Sequence, residues 1–382
     1  MSTPLPREEF AVTENFVYLN HAAAGVLPAS SVREIERFVQ AHAQRGVLGT
    51  FPYDLQLERY RDTIGAYIGA TGNDIALVTN TSAGASTIAT ALPWNAGDEV
   101  LVCDNEFPAN VIPWLALRKR GVVVRLLATN ELRLTPERLQ RELSPRTRVV
   151  TVSWIAYADG YRHDLRGLAD VAHAVGAMLC VDAMQGAGVL PIDVRAFDVD
   201  ALYAGAAKWM MGLHGTGFLY LAPQLAERAT PGTPGWRSMN DMWDFHNYEQ
   251  PFTSAVSRFE GGTPNVVGAL SMACAIELFQ RAGVDAIGAH VLELTDRLCA
   301  GLSELGATVR SPRGPERSSA IVLFSMPGGD SMALGKALEE EGIVTTYRST
   351  GIRVSPHGYT TAEEIDVLIR SLARHAGVKV SV

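Results

Sequence analysis

Short apolar runs alternate with stretches of helical spacing along the middle of the chain. Unbroken apolar runs are typical of buried strands, and they predict strands at 75–79, 99–103, 122–127, 148–153, 177–181, 201–203 and 217–221. Between them, 3.6-residue periodicity predicts helices that begin at Thr81 and that cover 109–119, 135–142 and 165–175. Such alternation predicts a mainly parallel sheet covered by helices on both faces, the α/β class.

The pattern differs on both sides of this region. Helical periodicity at 28–44 and 55–70 precedes it, and residues 1–13 are predicted to form a polar arm. After it, the segment 232–257 is irregular and rich in aromatic residues, which favours either a functional loop or a packed surface loop. A helical stretch at 266–305, with a break near Gly283, leads to a smaller unit.

That smaller unit has predicted strands at 320–324, 343–346 and 351–354, and predicted helices at 331–341 and 361–375. We therefore predict two domains. The large domain covers 14–262, and the small α+β C-terminal domain covers 263–382 together with the arm 1–13.

Composition narrows the class of protein. The 382 residues are 47% hydrophobic and 19% charged, as in well-packed globular enzymes. A net charge of −8 argues against nucleic acid or an anionic membrane as the main partner. We expect no secretory signal in MSTPLPREEF and no membrane span, because the chain has no apolar run of sufficient length. Its four widely spaced cysteines predict neither a zinc site nor disulfides, which suits the cytoplasm.

One lysine has an unusual setting. Lys208 is the only formally charged residue in ALYAGAAKWMMGLHGTGFLY, residues 201–220. Burial of an unpaired ammonium lowers its pKa, and the neutral amine that results can form a Schiff base. The alternative is a lysine whose stem is buried and whose ammonium reaches water.

Other polar residues lie at predicted strand ends. Thr81 and Ser82 begin a helix, where free N–H groups and hydroxyls bind anions, although the same pair is typical of ordinary capping. Asp182 ends an apolar strand, and Gln185 follows it. Because the carboxyl ends of parallel strands meet at one edge of a sheet, these residues are expected to converge. A phosphate site, a carboxylate for a pyridine nitrogen and a lysine for an aldehyde together indicate pyridoxal 5'-phosphate.

The order of motifs resembles a known family. Seven motifs follow one another in an order that resembles that of class V aminotransferases and cysteine desulfurase-like enzymes. They are YLNHAAAG, TNTSAGAS, EFPANVIPW, VDAMQGAG, AAKWMMGLHGTGFLY, RFEGGTPN and GIRVSPHGY. These are fold type I pyridoxal phosphate enzymes. Together the motifs cover nearly the whole chain. The resemblance includes isopenicillin N epimerase and C–S lyases.

The resemblance implies a role for each matching residue. Lys208 would hold the internal aldimine and move the α-proton through a quinonoid carbanion. Asp182 would pair with the pyridinium nitrogen, and Gln185 would touch the ring oxygen. The remaining implied contacts are Thr81 and Ser82 on the phosphate, Phe107 stacked on the ring, Thr263 on the phosphate of a neighbouring subunit, Arg353 on the substrate carboxylate, and Asn20, His21, Tyr157 and Arg348 near the substrate.

Departures from the family pattern affect the expected chemistry. Phe107 stands where the desulfurases have a histidine, and Gly205-Ala206-Ala207 replaces a Ser-Gly-His that helps to bind phosphate. No cysteine lies between 343 and 353, where a desulfurase needs its mobile nucleophile. The cysteines at 103, 180, 274 and 299 are predicted to be buried apolar residues. The pattern therefore argues against persulfide formation on the protein.

Three functions remain open from the sequence. The first is β-elimination from a cysteine S-conjugate by a C–S lyase, with the aromatic loop accommodating a bulky substituent. The second is transamination or epimerisation at the α-carbon, or a decarboxylating or oxidative variant of the same site. The third is a non-enzymatic binding or regulatory protein, which the set Lys208, Asp182 and Arg353 disfavours. The predicted role of Thr263 implies a homodimer with shared active sites.

Overall fold

The computed structural model of the chain describes residues 3–129 and 133–377. Residues 1–2 of the predicted arm and 378–382 of the predicted small domain lie outside the described residues. The α-helices in chain order are α1 (Ala29–Arg45), α2 (Val47–Asp54), α3 (Leu57–Tyr67), α4 (Thr81–Ala91), α5 (Ile112–Leu115), α6 (Pro136–Glu142), α7 (Leu165–His173), α8 (Val194–Phe197), α9 (Pro223–Arg228), α10 (Val266–Ala282), α11 (Val284–Glu304), α12 (Ser331–Glu340) and α13 (Ala362–Ala376).

The strands form three sheets. In chain order they are β1 (Val17–Tyr18), β2 (Ile75–Val78), β3 (Glu99–Cys103), β4 (Val123–Leu127), β5 (Thr147–Ser153), β6 (Met178–Asp182), β7 (Ala201–Gly205), β8 (Gly217–Leu221), β9 (Thr308–Val309), β10 (Val322–Ser325), β11 (Ile343–Val344), β12 (Thr346–Arg348) and β13 (Gly351–Val354).

A seven-stranded sheet in the order β2-β8-β7-β6-β5-β3-β4 forms the centre of the molecule. All its strands run parallel except β8, which is antiparallel to both of its neighbours. Strands β3, β6, β7 and β8 are buried along their whole length, as expected for a sheet covered on both faces. The prediction of a mainly parallel, helix-covered sheet is confirmed.

The C-terminal unit contains an antiparallel sheet in the order β12-β13-β10-β9. Its apolar face packs with α11 and α13 around Leu298, Phe324 and Leu368, which are fully buried. A third sheet connects the two ends of the chain, because β1 pairs in parallel with β11. Helix α10 contacts α1 and α3, beside the central sheet. The domain boundary at 263 stays a prediction.

The break near Gly283 is present, and α10 and α11 meet there at an angle of 81°. Gly283 has φ +84°, a left-handed conformation that suits glycine and ends the first helix. Within residues 3–129 and 133–377, no single helix is long and apolar enough to cross a membrane. This bent pair meets the length and composition criteria only when its two helices are taken together.

Some predicted elements are wrong. The helix predicted at 109–119 is broken into a 3₁₀ turn at Pro108–Asn110, α5, and a second 3₁₀ turn at Ala116–Arg120. In a continuous helix over 109–119, residue 113 would donate its N–H to the carbonyl of residue 109, and Pro113 has no N–H to donate. Pro113 is tolerated in the first turn of α5, which begins at Ile112. Helix α2 was not predicted, because Val47, Leu48 and Phe51 are exposed and follow no buried periodicity.

The N-terminal arm is also less polar than its sequence predicts. Residues 7–9 and 11–14 form 3₁₀ turns, and Leu5 and Phe10 are fully buried. Phe10 stacks on Tyr359 with 4.1 Å between ring centroids, and the backbone N–H of Leu5 donates to Gly358. Two apolar side chains among polar neighbours are therefore enough to attach the arm to the C-terminal unit.

Candidate active site

The carboxyl ends of the parallel strands surround a cavity of about 210 Å³. Strand β7 leads to Lys208, β6 ends at Asp182, and β5 ends at Ser153. The residues that line the cavity are Asn80, Thr81, Ser82, Phe107, Ala109, Ser153, Tyr157, Asp182, Met184, Gln185 and Lys208. The predicted convergence of strand-end residues is confirmed, and their individual roles stay predictions.

Lys208 and Asp182 have opposite charges and lie close enough to affect each other's ionisation without forming a direct ion pair. The pKa of the Lys208 amine is lowered to about 8, chiefly by burial and also by the charges of Arg353 and Arg348, while Asp182 opposes the decrease. The pKa of Asp182 is raised to about 7, chiefly by burial and also by the nearby Glu106, while the Met184 N–H and Lys208 oppose the increase. The Asp182 carboxylate accepts one hydrogen bond, from the backbone N–H of Met184 at 2.8 Å.

The backbone of the lysine loop is tightly held. Met211 has φ +50°, a left-handed conformation that is uncommon for a residue with a side chain, and its N–H donates to the Lys208 carbonyl at 3.0 Å. The N–H of Gly25 donates to Ala207 at 2.8 Å. A Cβ at Gly25 would lie 1.9 Å from the Lys208 carbonyl oxygen, so only glycine fits beside this loop.

The N-terminus of α4 forms one wall. Asn80 is the N-cap, and its side chain accepts from the N–H of Ala83 at 2.9 Å, which leaves Thr81 and Ser82 in the first turn, where N–H groups have no intrahelical partner. The Thr81 hydroxyl accepts from the Gly205 N–H at 3.1 Å and keeps its own hydrogen for donation. This wall suits a phosphate group.

Phe107 and Tyr157 form another part of the cavity wall. The Phe107 ring is 44% exposed, and its centroid lies 5.5 Å from the Lys208 Nζ and 5.3 Å from the Tyr157 ring centroid. A flat group between the lysine and the protein surface can therefore stack on Phe107. With Asp182 and the phosphate wall, the residues present fit pyridoxal phosphate.

Arg353 lies beside this wall. It is only 6% exposed, and its Nη1 donates to the Tyr157 carbonyl at 2.7 Å. Its Nη2 donates to the Thr346 hydroxyl at 3.3 Å, and that hydroxyl donates to the Asn20 side chain at 2.6 Å. Burial lowers the pKa of Arg353 to about 10, with a further contribution from Arg348.

Five predicted site residues do not line the cavity of their own chain: Arg353, which lies beside it, and His21, Asn20, Arg348 and Thr263. His21 is fully buried, and its ring nitrogens contact the Ser355 carbonyl and the Tyr359 hydroxyl. Asn20 reaches Arg353 only through Thr346. Arg348 is exposed at the end of β12, and Thr263 is exposed just before α10.

The aromatic segment 232–257 is likewise absent from the lining of the lysine cavity. It contains a 3₁₀ turn at Trp236–Ser238 and a bridge between Met239 and Phe252, and it surrounds a separate cavity of about 560 Å³. The loop therefore does not line the lysine cavity of its own chain, and its role in accommodating a substrate substituent stays a prediction.

Sequence reasoning missed a buried network behind the cavity. Glu106 accepts from the Ser153 N–H at 2.7 Å, from the Ser153 hydroxyl, and from the Asn110 side chain at 3.1 Å. Asn110 in turn accepts from Thr151 and Tyr203. Burial raises the pKa of Glu106. The sequence feature that could have indicated this network is Glu106, an acidic residue next to Phe107 in EFPAN.

Comparisons with known proteins agree with this geometry. A family model described as aminotransferase class-V matches residues 17–368. The chain belongs to the class V aminotransferase family. It is therefore a pyridoxal phosphate enzyme of fold type I, as the sequence resemblance implied.

Individual members of the family are also similar over the whole chain. A protein named probable cysteine desulfurase from Methanothermobacter thermautotrophicus is 28% identical over 99% of both chains. The apo structure of a cysteine desulfurase from Thermococcus onnurineus NA1 has a TM-score of 0.87 at 24% identity, covering 99% of this chain and 100% of that one. A complex of the cystine C-S lyase C-DES with cysteine persulfide has a TM-score of 0.87 at 24% identity, covering 97% and 100%.

The lowered pKa of Lys208 predicts how the cofactor-free enzyme takes up pyridoxal phosphate. Only the neutral amine attacks an aldehyde, so the rate should rise about tenfold between pH 7 and pH 9 and level off near pH 9, as expected for a pKa of about 8. Stopped-flow absorbance after mixing measures this rate. A free lysine peptide is the control, and its rate should keep rising. No levelling below pH 10 would contradict the prediction.

Proposed function

We propose that this enzyme is a C–S lyase that catalyses β-elimination from a cysteine S-conjugate. The observation that carries the proposal is the composition of the lysine cavity. Lys208 and Asp182 line it and Arg353 lies beside it, while none of the lining residues within 3–129 and 133–377 is a cysteine. The cavity therefore supports chemistry at the α-carbon of an amino acid without a protein thiol to receive sulfur.

Arg353 supports recognition of an amino acid. Among the described residues no carboxylate pairs with it, and its Nε is buried without a hydrogen-bond partner. Burial of a guanidinium without an anion is unfavourable in free energy. Binding of an α-carboxylate to Arg353 should therefore be favourable, and it should be bidentate. The lowered pKa of Arg353 is consistent with a group that is incomplete without its ligand.

Lys208 and Asp182 support the bond-breaking steps. When bound, the cofactor supplies an electron sink for a carbanion at the substrate α-carbon. The Lys208 amine, with its lowered pKa, can accept the α-proton at neutral pH. Asp182 can hold a proton on the pyridine nitrogen, because among the described residues only the Met184 N–H competes as a hydrogen-bond donor to its carboxylate.

The four cysteines argue against sulfur transfer to the protein. Burial raises the pKa of Cys103 to about 12 and of Cys274 to about 11, and it raises the pKa of Cys180 and Cys299 as well. A thiol with a raised pKa is a poor nucleophile, since the thiolate is the reactive form. The sulfur should therefore leave on the small molecule.

The proposed reaction balances without an oxidant or reductant. The α-proton is removed, the Cβ–S bond breaks, and its electron pair leaves with sulfur as a thiol, or as a persulfide when the substrate is a disulfide. Water then releases the three-carbon remainder as pyruvate and ammonia. The similarity to a protein named cystine C-S lyase supports this choice within the family.

The decisive assay mixes the purified enzyme with cystine and with S-alkyl and S-aryl cysteines. Equal amounts of pyruvate and ammonia are expected. Each single Cys→Ala variant at positions 103, 180, 274 and 299 should keep the turnover of the wild type within about twofold, provided that it folds. Alanine as product, with sulfur retained on the protein, would overturn the proposal in favour of a desulfurase.

The same assay separates the other reactions open to this site. A 2-oxo acid formed without ammonia, with the cofactor left as an amine, would identify an aminotransferase. Deuterium incorporation at the α-carbon without loss of substrate would identify an epimerase. Loss of CO₂ would identify a decarboxylating variant. Each of these results would replace β-elimination as the function.

We also propose a homodimer in which Thr263 contacts the phosphate of the partner's cofactor. Thr263 is exposed and lies outside its own cavity lining. Exposed aromatic side chains support association: Phe51 and Trp243 are 42% and 47% exposed, with their ring centroids 6.1 Å apart, and Phe245 and Tyr248 are 57% and 81% exposed. Apolar patches of this kind on a folded chain mark interaction sites.

Mixed dimers test the shared site. Lys208→Ala and Thr263→Ala homodimers should both be impaired. A heterodimer of the two has one complete site, formed by Lys208 of one chain and Thr263 of the other, so it should recover about half of the wild-type activity per dimer. An active monomer in gel filtration, or no recovery in the heterodimer, would contradict the proposal.

A further inference from the structure

Both ends of the Gln185 side-chain amide are held by other protein groups. The indole N–H of Trp209 donates to the Gln185 Oε1 at 2.7 Å, and the Gln185 Nε2 donates to the Ala22 carbonyl at 3.2 Å. An indole nitrogen only donates and a backbone carbonyl only accepts. The two contacts therefore fix the orientation of the amide by chemistry, where amide orientation is otherwise ambiguous.

The fixed orientation determines which atom of Gln185 is available to the cavity that it lines. The amide nitrogen carries two hydrogens, and Ala22 takes one of them. We propose that Trp209 is a positioning residue, whose indole N–H holds Gln185 so that an amide N–H, and not the amide carbonyl, faces the ring oxygen of the cofactor. The inference rests on the predicted contact of Gln185 with that oxygen.

Trp209 is itself rigidly placed. It is fully buried, and its backbone carbonyl faces the Nε2 of His357 at 3.0 Å. Because the Nδ1 of His357 accepts from the Gly358 N–H at 2.7 Å, the proton of the neutral ring is on Nε2, which donates to Trp209. Burial lowers the pKa of His357 to about 4, so the ring is neutral at physiological pH.

A second contact holds the same stretch of backbone. Gly188 has φ +110°, and a Cβ there would lie 2.3 Å from the carbonyl carbon of Trp209. Trp209 also follows Lys208 directly in the sequence. The short segment Lys208-Trp209 thus fixes the positions of both the amine that bonds to the cofactor and the indole N–H that orients Gln185. The amide and the lysine are therefore aligned by a common support.

The test uses the enzyme loaded with pyridoxal phosphate and follows the pH titration of its visible absorption. A hydrogen bond to the ionised ring oxygen lowers the basicity of that oxygen and of the imine nitrogen that shares a proton with it. Trp209→Phe should release the amide, and it should raise the apparent pKa of the titration by about one unit, as the loss of one hydrogen bond to a charged group predicts.

Trp114 supplies the matched control. It is also fully buried, and its indole nitrogen has no hydrogen-bond partner among the described residues. Trp114→Phe therefore removes an indole N–H and similar volume from a buried site, but should leave the titration unchanged. In a Gln185→Leu background, Trp209→Phe should cause no further shift, because the amide that it orients is gone.

Gln185→Glu tests the same idea if Trp209→Phe does not fold. A carboxylate can only accept, so one oxygen would pair with the indole and the other would face the ring oxygen. The apparent pKa should then rise by at least as much as in Trp209→Phe. An unchanged titration in Trp209→Phe or Gln185→Glu, or an undiminished shift in the Gln185→Leu background, would overturn the inference. The titration requires no substrate, so its outcome is independent of the reaction proposed above.

Discussion

Lys208→Arg should lower turnover by at least about 10³-fold, because arginine keeps the positive charge but can neither bond to the cofactor aldehyde nor accept the α-proton. The wild-type enzyme should yield, after borohydride reduction and proteolysis, a cofactor-labelled peptide that contains Lys208. The Lys208→Arg protein should yield none.

Lys336 provides the control for this substitution. Its side chain is 73% exposed and lies 3.9 Å from Glu340 on α12. Lys336→Arg therefore makes the same chemical change at a solvated position and should retain wild-type turnover and labelling at Lys208. Substantial turnover by Lys208→Arg, or labelling of another lysine in the wild type, would show that the covalent site is wrongly assigned.

Gly25→Ala should have the next largest effect, although Gly25 bears no reactive group. The added Cβ would lie 1.9 Å from the Lys208 carbonyl oxygen and 3.2 Å from the Met211 Cα. Both contacts are with backbone, so no side-chain rotation can relieve them, and the lysine loop must move. A displacement of about 1 Å at a reacting group can cost about 10²-fold in rate, and we expect a loss of at least that size.

Cofactor content by absorbance, turnover and thermal unfolding together measure this effect. Overpacking alone typically costs about 1–3 kcal/mol, so the variant should still fold but bind less cofactor. Ala23→Ser, two residues earlier at an exposed position, adds an atom to the same turn without entering the loop and serves as the control. Full cofactor content in Gly25→Ala would contradict the close packing of Gly25 against the Lys208 carbonyl.

Lys208 and Asp182 could be recognised from sequence because each is a charged residue in an apolar run, and burial of a charge needs a reason. The alternation of strands and helices could also be predicted from the sequence, since the buried strands are continuous apolar runs. These signals are local. They depend on residues within one element and its immediate neighbours.

Contacts between distant segments could not be read in this way. The hydrogen bond from Thr346 to Asn20 joins residues 326 positions apart, and it exists only because of the pairing of β1 with β11. The role of Trp209 depends on a donor that meets Gln185 in three dimensions. In the sequence, Trp209 is one more apolar residue beside a lysine.

The pairing of β1 with β11 has a consequence for synthesis of the protein. Val17 emerges from the ribosome early, but its partner Ile343 follows almost a whole chain length later, and the bridge from Asn20 to Ser355 needs a still later residue. During translation, the central sheet can form before the segment that carries Asn20, His21 and Gly25 can pair with β11. The lysine loop therefore acquires its final support only after Ser355 has been synthesised, so chains truncated before that residue should contain a folded sheet but bind little cofactor.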